Sequence, residues 1–288
     1  MRRLKVAVVG PFSGPRSAYG ALIREALAAS AGRPGLQLQL WDDAALPAAA
    51  RRVAGAIRNA GVDAVVGHFN SDCAHAAGAI YRNAGIPLLL PASTAMGLAD
   101  GRHVFRLCGT EGQQADAMVR LLRTELASWA PAVWSDGSPY ARRLRARLES
   151  ASGAPLLSVG AAGDTVDERD RAIVYLGSHV AVMQRMREEA PDHAAARVCC
   201  DDCWIEEFRQ AAHQGTFICA PHAGYGELLQ GALAIIERVM LTRQAEWADF
   251  FDDAGESREA GFRIQKLARA GHEPVVVEPL RPTPALQG

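Results

Sequence analysis

Residues Leu4–Pro15, LKVAVVGPFSGP, carry the strongest indication of the fold. Its apolar run is short and is closed by Gly10-Pro11, which is typical of a strand buried on both faces of a parallel sheet. Short apolar runs of this kind alternate along the chain with amphipathic stretches rich in Ala, Arg and Leu. Because alternating strands and helices form βαβ units, the sequence predicts an α/β fold with doubly wound parallel sheets.

The alternation occurs in two successive sets, the first of which ends near residue 108. Predicted strands of the first set are Lys5–Val9, Leu36–Trp41, Ala64–Gly67, Ile86–Leu90 and Val104–Leu107, and its helices are Ala18–Ser30, Leu46–Asn59, Cys73–Asn83 and Thr110–Ser128. Predicted strands of the second set are Ala132–Trp134, Leu156–Val159, Ala172–Gly177, Arg197–Cys200 and Thr216–Cys219, and its helices are Tyr140–Ser150, Val166–Asp170, Val180–Glu189 and Ile205–Ala212. The chain is therefore predicted to form two lobes, with a loosely ordered tail at Pro279–Gly288.

Composition excludes several classes of partner. The 288 residues include 32 acidic and 31 basic side chains, so the formal net charge is −1. That balance predicts no basic surface for nucleic acid and no attraction to an anionic membrane. No apolar run reaches the ~20 residues that a membrane-spanning helix requires. We therefore expect a small neutral or zwitterionic ligand, with no nucleic-acid binding and no membrane insertion.

The N-terminal residues predict a cytoplasmic location for the chain as written. Met1-Arg2-Arg3 is followed at once by the first strand, whereas a secretory signal has an apolar segment of ~7–15 residues before its cleavage site. The six cysteines are not spaced like a secreted disulfide framework. If the sequence is a processed mature form, the expected location is periplasmic.

Three loops at the carboxyl ends of predicted strands are candidate ligand-binding loops. They are Gly10–Gly20, Gly67–Cys73 and Pro91–Thr94. In open α/β sheets ligands bind at this edge, where helix N-termini favour anions. Ser71 and Thr94 taken singly are better explained as helix caps. Three such loops at one edge together favour a ligand site.

A cysteine-rich loop supplies an alternative hypothesis. Within Cys199–Trp204, Cys200 and Cys203 have C-x-x-C spacing. A zinc site needs four ligands and the sequence has no second such pair, while a redox pair could form where a strand leads into a helix. Further candidates for metal or redox chemistry are Cys73, His68, Asp72 and His75. The sequence contains none of the motifs G-x-S-x-G, G-x-x-x-x-G-K-[ST], G-x-G-x-x-G or H-E-x-x-H, an absence that does not decide by itself, and we expect a non-enzyme without a cofactor.

Seven stretches in the first part of the chain form a pattern found in a known family. They are Val6–Pro15, Tyr19-Gly20, Asp42–Ala44, Val65–His68, Ile80-Tyr81, Ala84–Pro87 and Leu90–Thr94. The pattern resembles the leucine/isoleucine/valine-binding protein family. Its members are type I periplasmic binding proteins, the substrate-binding proteins of branched-chain amino acid ABC transporters, and an amide-sensing cytoplasmic regulator is related to them.

The resemblance implies two lobes that close by a hinge motion on a ligand in the cleft between them. It implies an N-terminal lobe of residues 1–108 plus 221–253 and a C-terminal lobe of residues 109–220 plus 254–288. The expected function is non-catalytic binding of a small amino acid or amide, in import or as a sensor. An ABC permease or a cytoplasmic regulatory protein is the expected partner, and a homodimer is compatible with the sequence.

The resemblance also implies the ligand contacts. Ser71 and Thr94 would hold the ligand carboxylate, and the Ala92 carbonyl would accept a hydrogen bond from its ammonium group. On the second lobe, Asp202 would pair with the ammonium group and Tyr140 would close on the ligand. The remaining candidates are the loop residue Ser93, Tyr19 as a wall of the side-chain pocket, and His68, Asn70 and His179.

The chain departs from the family at several positions. Ala45 and Asn70 stand where bacterial members often have a bridged cysteine pair, which agrees with a reducing compartment. Asp202 is shorter than the family's glutamate and lies beside three cysteines, which implies a ligand unlike leucine. The chain is also shorter than the family between Pro221 and Tyr225 and near Arg243–Trp247, which affects docking to a permease more than ligand binding.

Overall fold

The computed structural model describes residues 2–29, 32–160, 167–189, 194–267 and 275–276, and the chain divides into two compact units. The first unit consists of Met1–Gln113 and Pro221–Gly261, and the second of Gln114–Ala220 and Phe262–Gly288. The chain therefore passes three times from one unit to the other. The predicted tail at Pro279–Gly288 lies outside the described residues.

Strands and helices alternate along the described part of the chain, as the sequence predicts. The strands are β1 Leu4–Gly10, β2 Leu36–Asp42, β3 Ala64–Val66, β4 Leu88–Leu90, β5 Val104–Arg106, β6 Ala130–Ser135, β7 Leu157–Ser158, β8 Arg171–Leu176, β9 Ala196–Cys199, β10 Phe217–Pro221, β11 Phe262–Lys266 and β12 Val275–Val276. The α-helices are α1 Ser17–Ala29, α2 Pro47–Asn59, α3 Ser71–Asn83, α4 Glu111–Arg123, α5 Pro139–Ser152, α6 His179–Glu188, α7 Glu206–Ala211 and α8 Tyr225–Ile236. Short 3-10 helices form at Asp201–Cys203 and Trp247–Asp249, and a π-helical turn forms at Glu237–Leu241.

The sheet of the first unit has the strand order β2-β1-β3-β4-β5, and its strand pairs are parallel. The apolar run of β1 lies between β2 and β3, and Val6–Val9 are fully buried. Helices α2 and α3 bury Ala50, Ile57 and Tyr81 in a core cluster with residues of the sheet. The run Val6–Val9 is thus buried on both faces, as a central strand of a parallel sheet requires.

The sheet of the second unit has the strand order β12-β11-β10-β9-β8-β6-β7. The pairs from β10 to β7 are parallel, and β11 pairs with β12 in the antiparallel sense. No helix in the described residues is long and apolar enough to cross a membrane. The two parallel sheets and their helices confirm the predicted α/β fold class.

Three predicted elements differ from the structure. Asp167–Asp170 ends in a turn and forms no helix, because the Asp167 carboxylate accepts a hydrogen bond from the Arg169 N–H and so competes with a helical turn. Val166 lies outside the described residues. Strand β4 begins after Pro87, which has no N–H for the ladder, and α4 ends at Arg123 and does not continue to Ser128.

Candidate functional site

The loop between β3 and α3 carries Asn70 and Ser71. Asn70 caps α3, since its side-chain oxygen accepts hydrogen bonds from the N–H groups of Asp72 at 3.0 Å and Cys73 at 3.1 Å. The interpretation of Ser71 as the cap was therefore wrong. Its Oγ accepts a hydrogen bond from the Ala95 N–H at 3.2 Å, which leaves the hydroxyl's own hydrogen to donate to another acceptor.

The loop between β4 and β5 carries Ala92, Ser93 and Thr94. The Ser93 hydroxyl is buried and donates its hydrogen to the His68 carbonyl at 2.8 Å. The Thr94 carbonyl accepts from the Glu111 N–H at 2.8 Å, and because no helix forms between Thr94 and β5, the interpretation of Thr94 as a cap was also wrong. Ala92 is half-buried in the same loop. We call Ser71, Ala92, Ser93 and Thr94 the hydroxyl cluster.

A buried arginine that the sequence interpretation missed supports the hydroxyl cluster. Arg106 of β5 is fully buried, and its Nη1 donates to the carbonyls of Ala95 at 2.6 Å and Ser93 at 3.3 Å. Its Nε and Nη2 donate to the two carboxylate oxygens of Glu256 at 2.7 and 2.6 Å. Arg106 therefore holds this loop through its main-chain carbonyls, in addition to the hydrogen bond that the Ser93 side chain makes.

Beneath the hydroxyl cluster, the ring of His68 is held by partners within the protein. Its Nδ1 lies 2.6 Å from Asp43 Oδ2 and its Nε2 lies 3.2 Å from the Tyr81 hydroxyl, and all three residues are fully buried. Burial and the nearby Asp43 carboxylate raise the pKa of Tyr81, so its hydroxyl stays protonated. The structure thus gives the His68 ring a supporting role, whereas its carbonyl receives the Ser93 hydroxyl.

Tyr19 lies in an aromatic group of the first unit. Its ring centroid is 6.5 Å from that of Phe69 and 5.9 Å from that of Tyr225, and the guanidinium carbon of Arg16 lies 5.2 Å from the Tyr19 centroid. Tyr19 is buried, and the Phe69 contact links it to the loop that carries Ser71. These contacts give Tyr19 a fixed position, and its role as a wall of the ligand pocket stays a prediction.

In the second unit, Asp201, Tyr140 and Gln114 form a hydrogen-bonded group. Asp201 Oδ1 accepts from the Tyr140 hydroxyl at 2.5 Å and from the Gln114 amide at 2.6 Å. Burial, followed by the nearby Asp201 carboxylate, raises the pKa of Tyr140 well above its ordinary value, so the phenol remains a donor. Asp201 and Gln114 were not predicted as site residues.

Asp202 and His179 form the adjacent contact. Asp202 Oδ2 accepts from the His179 backbone N–H at 2.7 Å and lies 3.1 Å from His179 Nδ1. His179 Nε2 lies 3.7 Å from a Glu207 carboxylate oxygen. Both predicted residues are buried next to Asp201 and Tyr140 in this unit. We call Asp201, Asp202, Tyr140 and His179 the aspartate cluster.

The cysteines are buried thiols. Cys73 belongs to the core of the first unit, and the Cys200 thiol donates to the Gly177 carbonyl at 3.2 Å. Burial raises the pKa of Cys73, Cys199 and Cys203, which disfavours the reactive thiolate. Within the described residues, no three His, Cys, Asp or Glu side chains are grouped so that they could hold a metal ion.

The missed residues gave weak signals in the sequence. Asp201 adjoins Asp202, but neither its hydrogen bond to Gln114, 87 positions away, nor the pairing of Arg106 with Glu256, 150 positions away, could be read from local pattern. Asp43 lies in a stretch that carried the resemblance, and its role appears only once His68 is seen beside it.

Two parallel-sheet α/β units, each with a buried polar cluster at or after its strand ends, define a class of protein: α/β binding proteins built from two such units. A family model described as periplasmic binding protein matches residues 3–263. The chain belongs to the periplasmic binding protein family, which confirms the resemblance found in the sequence.

Two bacterial relatives match part of the chain. The leucine-, isoleucine-, valine-, threonine-, and alanine-binding protein of Pseudomonas aeruginosa is 30% identical over 148 residues, which are 48% of this chain and 40% of that protein. The Leu/Ile/Val-binding protein of Escherichia coli K12 is 32% identical over 152 residues, 49% of this chain and 41% of the relative. The matched region thus spans less than half the length of these relatives.

A solved structure supports the fold along nearly the whole chain. The crystal structure of a leucine-binding protein LivK from Thermotoga maritima has a TM-score of 0.80 and 17% identity, with 95% of this chain and 98% of that chain covered. At this identity the similarity shows a shared fold.

Proposed function

We propose that this protein is a non-catalytic binding protein for a small amino acid or an amino-acid-like molecule, of the type that delivers its ligand to an ABC importer. The hydroxyl cluster of the first unit takes the ligand carboxylate. The aspartate cluster of the second unit takes the ligand ammonium group. A homodimer is compatible with this function and stays a prediction.

The observation that carries the proposal is the difference in charge between the two clusters. Ser71 opens the 13-residue helix α3, whose dipole favours an anion at its N-terminus, while the Asn70 side chain already accepts from the N–H groups of Asp72 and Cys73. Asp201 and Asp202 are only 4% and 8% exposed, and buried carboxylates favour a cationic or hydrogen-donating partner. A zwitterion offers one group that suits each cluster.

The relatives support an amino acid as the first candidate ligand and transport as the context. Both bacterial relatives are named for leucine, isoleucine and valine, and the Pseudomonas protein also for threonine and alanine. The family is named for the periplasm, and the cytoplasmic location predicted from the N-terminus finds no support in it. We therefore propose a periplasmic location with an ABC permease as partner.

The alternative of an enzyme or a metal-handling protein rests on Cys200 and Cys203. Burial raises the pKa of Cys203, and the Cys200 thiol is hydrogen-bonded to a backbone carbonyl. Nothing in the described residues supplies the further ligands that a metal would need. The binding function is therefore the one that we propose.

A thermal-shift screen tests the proposal. Purified, metal-stripped protein is heated with each amino acid, with small amides and with divalent metals. A ligand that binds only the folded state raises the melting temperature, by an amount equivalent to about 2.7 kcal/mol at 100 times its Kd. We expect stabilisation by one amino acid or a small group of them, which Ser71→Ala and Asp202→Asn reduce or abolish.

Matched variants make the screen specific. Asp202→Asn keeps an oxygen that accepts the His179 N–H but removes the charge. Ser152→Ala and Asp63→Asn are controls outside both clusters, since Ser152 bonds to carbonyls at the end of α5 and Asp63 bonds to Arg2 and the Lys5 N–H. The controls should keep the full ligand shift. Stabilisation by metals alone, unchanged in the site variants, would overturn the proposed function.

A further inference from the structure

The backbone of Ala95, next to the hydroxyl cluster, is held through the peptide groups on both sides of its Cα. The Ala95 carbonyl accepts from Arg106 Nη1 at 2.6 Å, and the Ala95 N–H donates to Ser71 Oγ at 3.2 Å. In the proposed function, the Ser71 hydroxyl donates a hydrogen bond to the ligand carboxylate. The Ala95 N–H therefore constrains the orientation of the Ser71 hydroxyl, and the Arg106 guanidinium constrains the position of Ala95.

Arg106 is itself oriented by the segment that returns to the first unit. Its guanidinium makes a two-point contact with the Glu256 carboxylate, at 2.7 and 2.6 Å. The Arg106 N–H donates to the Gly255 carbonyl at 2.8 Å and the Ser257 N–H donates to the Arg106 carbonyl at 2.9 Å. Side chain and main chain thus bind β5 to a segment that ends at Gly261, the last residue before the chain passes into the second unit.

This arrangement is better suited to positioning than to stability alone. Arg106 is fully buried and the Glu256 side chain is 27% exposed, and a buried ion pair adds little net stability because removing the charges from water is costly. A planar guanidinium, however, fixes several acceptors in one geometry, which the single ammonium group of lysine does not. Four of its contacts are made here, two to the carboxylate and two to loop carbonyls.

We propose that Arg106 is a positioning residue for the hydroxyl cluster. With Glu256 it aligns the Ala95 backbone so that Ser71 presents its hydroxyl hydrogen to the ligand carboxylate. The returning segment around Glu256 is thereby coupled to the ligand-binding loop. This inference rests on the proposed function for its ligand, whereas the positioning of the loop can be measured without one.

Hydrogen–deuterium exchange of the ligand-free protein measures the loop directly. Arg106→Lys keeps the positive charge but loses the planar guanidinium that bonds to Glu256 and to the loop carbonyls. Glu256→Gln is the milder second variant if the first does not fold. The matched control is Arg33→Lys, which alters the half-buried Arg33–Glu237 ion pair of the same unit. We expect amide exchange at Ala95 to rise about tenfold in the Arg106 variant, because a hydrogen bond from a charged donor is lost, and to stay unchanged in the control.

Equal exchange at Ala95 in the Arg106 and Arg33 variants would overturn the positioning role. Ligand binding then provides a second readout through a double-mutant cycle of Arg106→Lys and Ser71→Ala. If Arg106 acts through Ser71, Ser71→Ala weakens affinity less in the Arg106 variant than in the parent; fully additive losses contradict this. If Ala95 exchange rises but no amino acid binds the parent protein, the positioning of the loop stands and the proposed function fails.

Discussion

The hydroxyl cluster and the aspartate cluster are built in opposite ways. In the hydroxyl cluster the polar groups are neutral, and they are aligned by main-chain contacts such as Ala95 N–H to Ser71 and Ser93 to the His68 carbonyl. In the aspartate cluster two of the polar groups are carboxylates, and Asp201 is aligned by the side chains of Tyr140 and Gln114 whereas Asp202 also accepts from the His179 N–H. Main-chain contacts therefore dominate in the hydroxyl cluster, and side-chain contacts dominate in the aspartate cluster.

That difference shows where each cluster can be altered. A neutral hydroxyl on a fixed backbone can be deleted at the cost of a single hydrogen bond, because the backbone N–H groups around it remain. A buried carboxylate can be neutralised only at the cost of a charge interaction, which is worth more in a dry site. The hydroxyl cluster should therefore be most sensitive to substitution of the residues that position it. The aspartate cluster should be most sensitive to substitution of its own residues.

The largest expected effect comes from the support beneath the hydroxyl cluster. Asp43→Asn removes the charge that faces the His68 ring at 2.6 Å in a fully buried site. Because the loss of a buried hydrogen bond to a carboxylate is costly, we expect the free energy of unfolding to fall by about 3 kcal/mol in urea titrations. Asp63→Asn, whose partner Arg2 is exposed, should cost less than about 1 kcal/mol. Similar costs for the two variants would contradict a special role for the buried pair.

The next effect separates the two carboxylates of the aspartate cluster. Asp202→Asn removes the charge that we assign to the ligand ammonium group, and calorimetry should show affinity falling about 100-fold. Asp201→Asn changes a residue that acts by orienting Tyr140, and we expect a loss of about tenfold. If Asp201→Asn is the more damaging variant, Asp201 is the ammonium partner and the assignment of Asp202 is wrong.

A smaller effect divides the two serines of the hydroxyl cluster. Ser71→Ala removes the hydrogen that we propose is donated to the ligand carboxylate, so affinity should fall about tenfold. Ser93→Ala removes a hydroxyl whose hydrogen already serves the His68 carbonyl, so affinity should hold while the free energy of unfolding falls by about 1 kcal/mol. Equal losses of affinity from both variants would show that Ser93 also contacts the ligand.

The smallest effect is a pH dependence in the loop that follows the hydroxyl cluster. Burial opposes ionisation of Asp100, but the N–H groups of His103, Val104 and Arg102, with the Arg82 charge, lower its pKa in the folded state. A lowered pKa contributes stability that is present above the unfolded pKa and is lost as pH falls through the folded pKa.

Asp100→Asn should therefore be less stable than the parent by less than about 1 kcal/mol at pH 6, since the pair with Arg82 is partly exposed. The difference should shrink below about pH 4, where the unfolded carboxyl is protonated. Urea titrations at a series of pH values measure it. A difference that grows on acidification would have the wrong sign for this account.

The sequence predicted the fold well because burial and periodicity act locally. The run Val6–Val9 is apolar throughout and becomes a central strand, and Ser71 lies where a strand ends and α3 begins. These features need no knowledge of distant residues. Tyr140 and Asp202, by contrast, were proposed as site residues from the family resemblance, and the structure places both at the starts of helices in the second unit.

The rest depends on contacts between residues far apart in the chain. Nothing near Arg106 in the sequence shows that it pairs with Glu256. Nothing near Asp201 shows that it bonds to Gln114. Caps were misassigned for a related reason. Both Asn70 and Ser71 are residue types that commonly cap a helix N-terminus. The Ala95 N–H that donates to Ser71 Oγ comes from another loop.

The most direct test of the central claim is calorimetric titration of the parent protein with the best amino acid from the screen and with two blocked forms of it. Acetylation removes the ammonium charge, and conversion to the carboxamide removes the carboxylate. We predict that each block weakens binding by at least about 100-fold, because each leaves one cluster without its charged partner on the ligand. A blocked form that binds as tightly as the amino acid would contradict the assignment of opposite ligand charges to the two clusters.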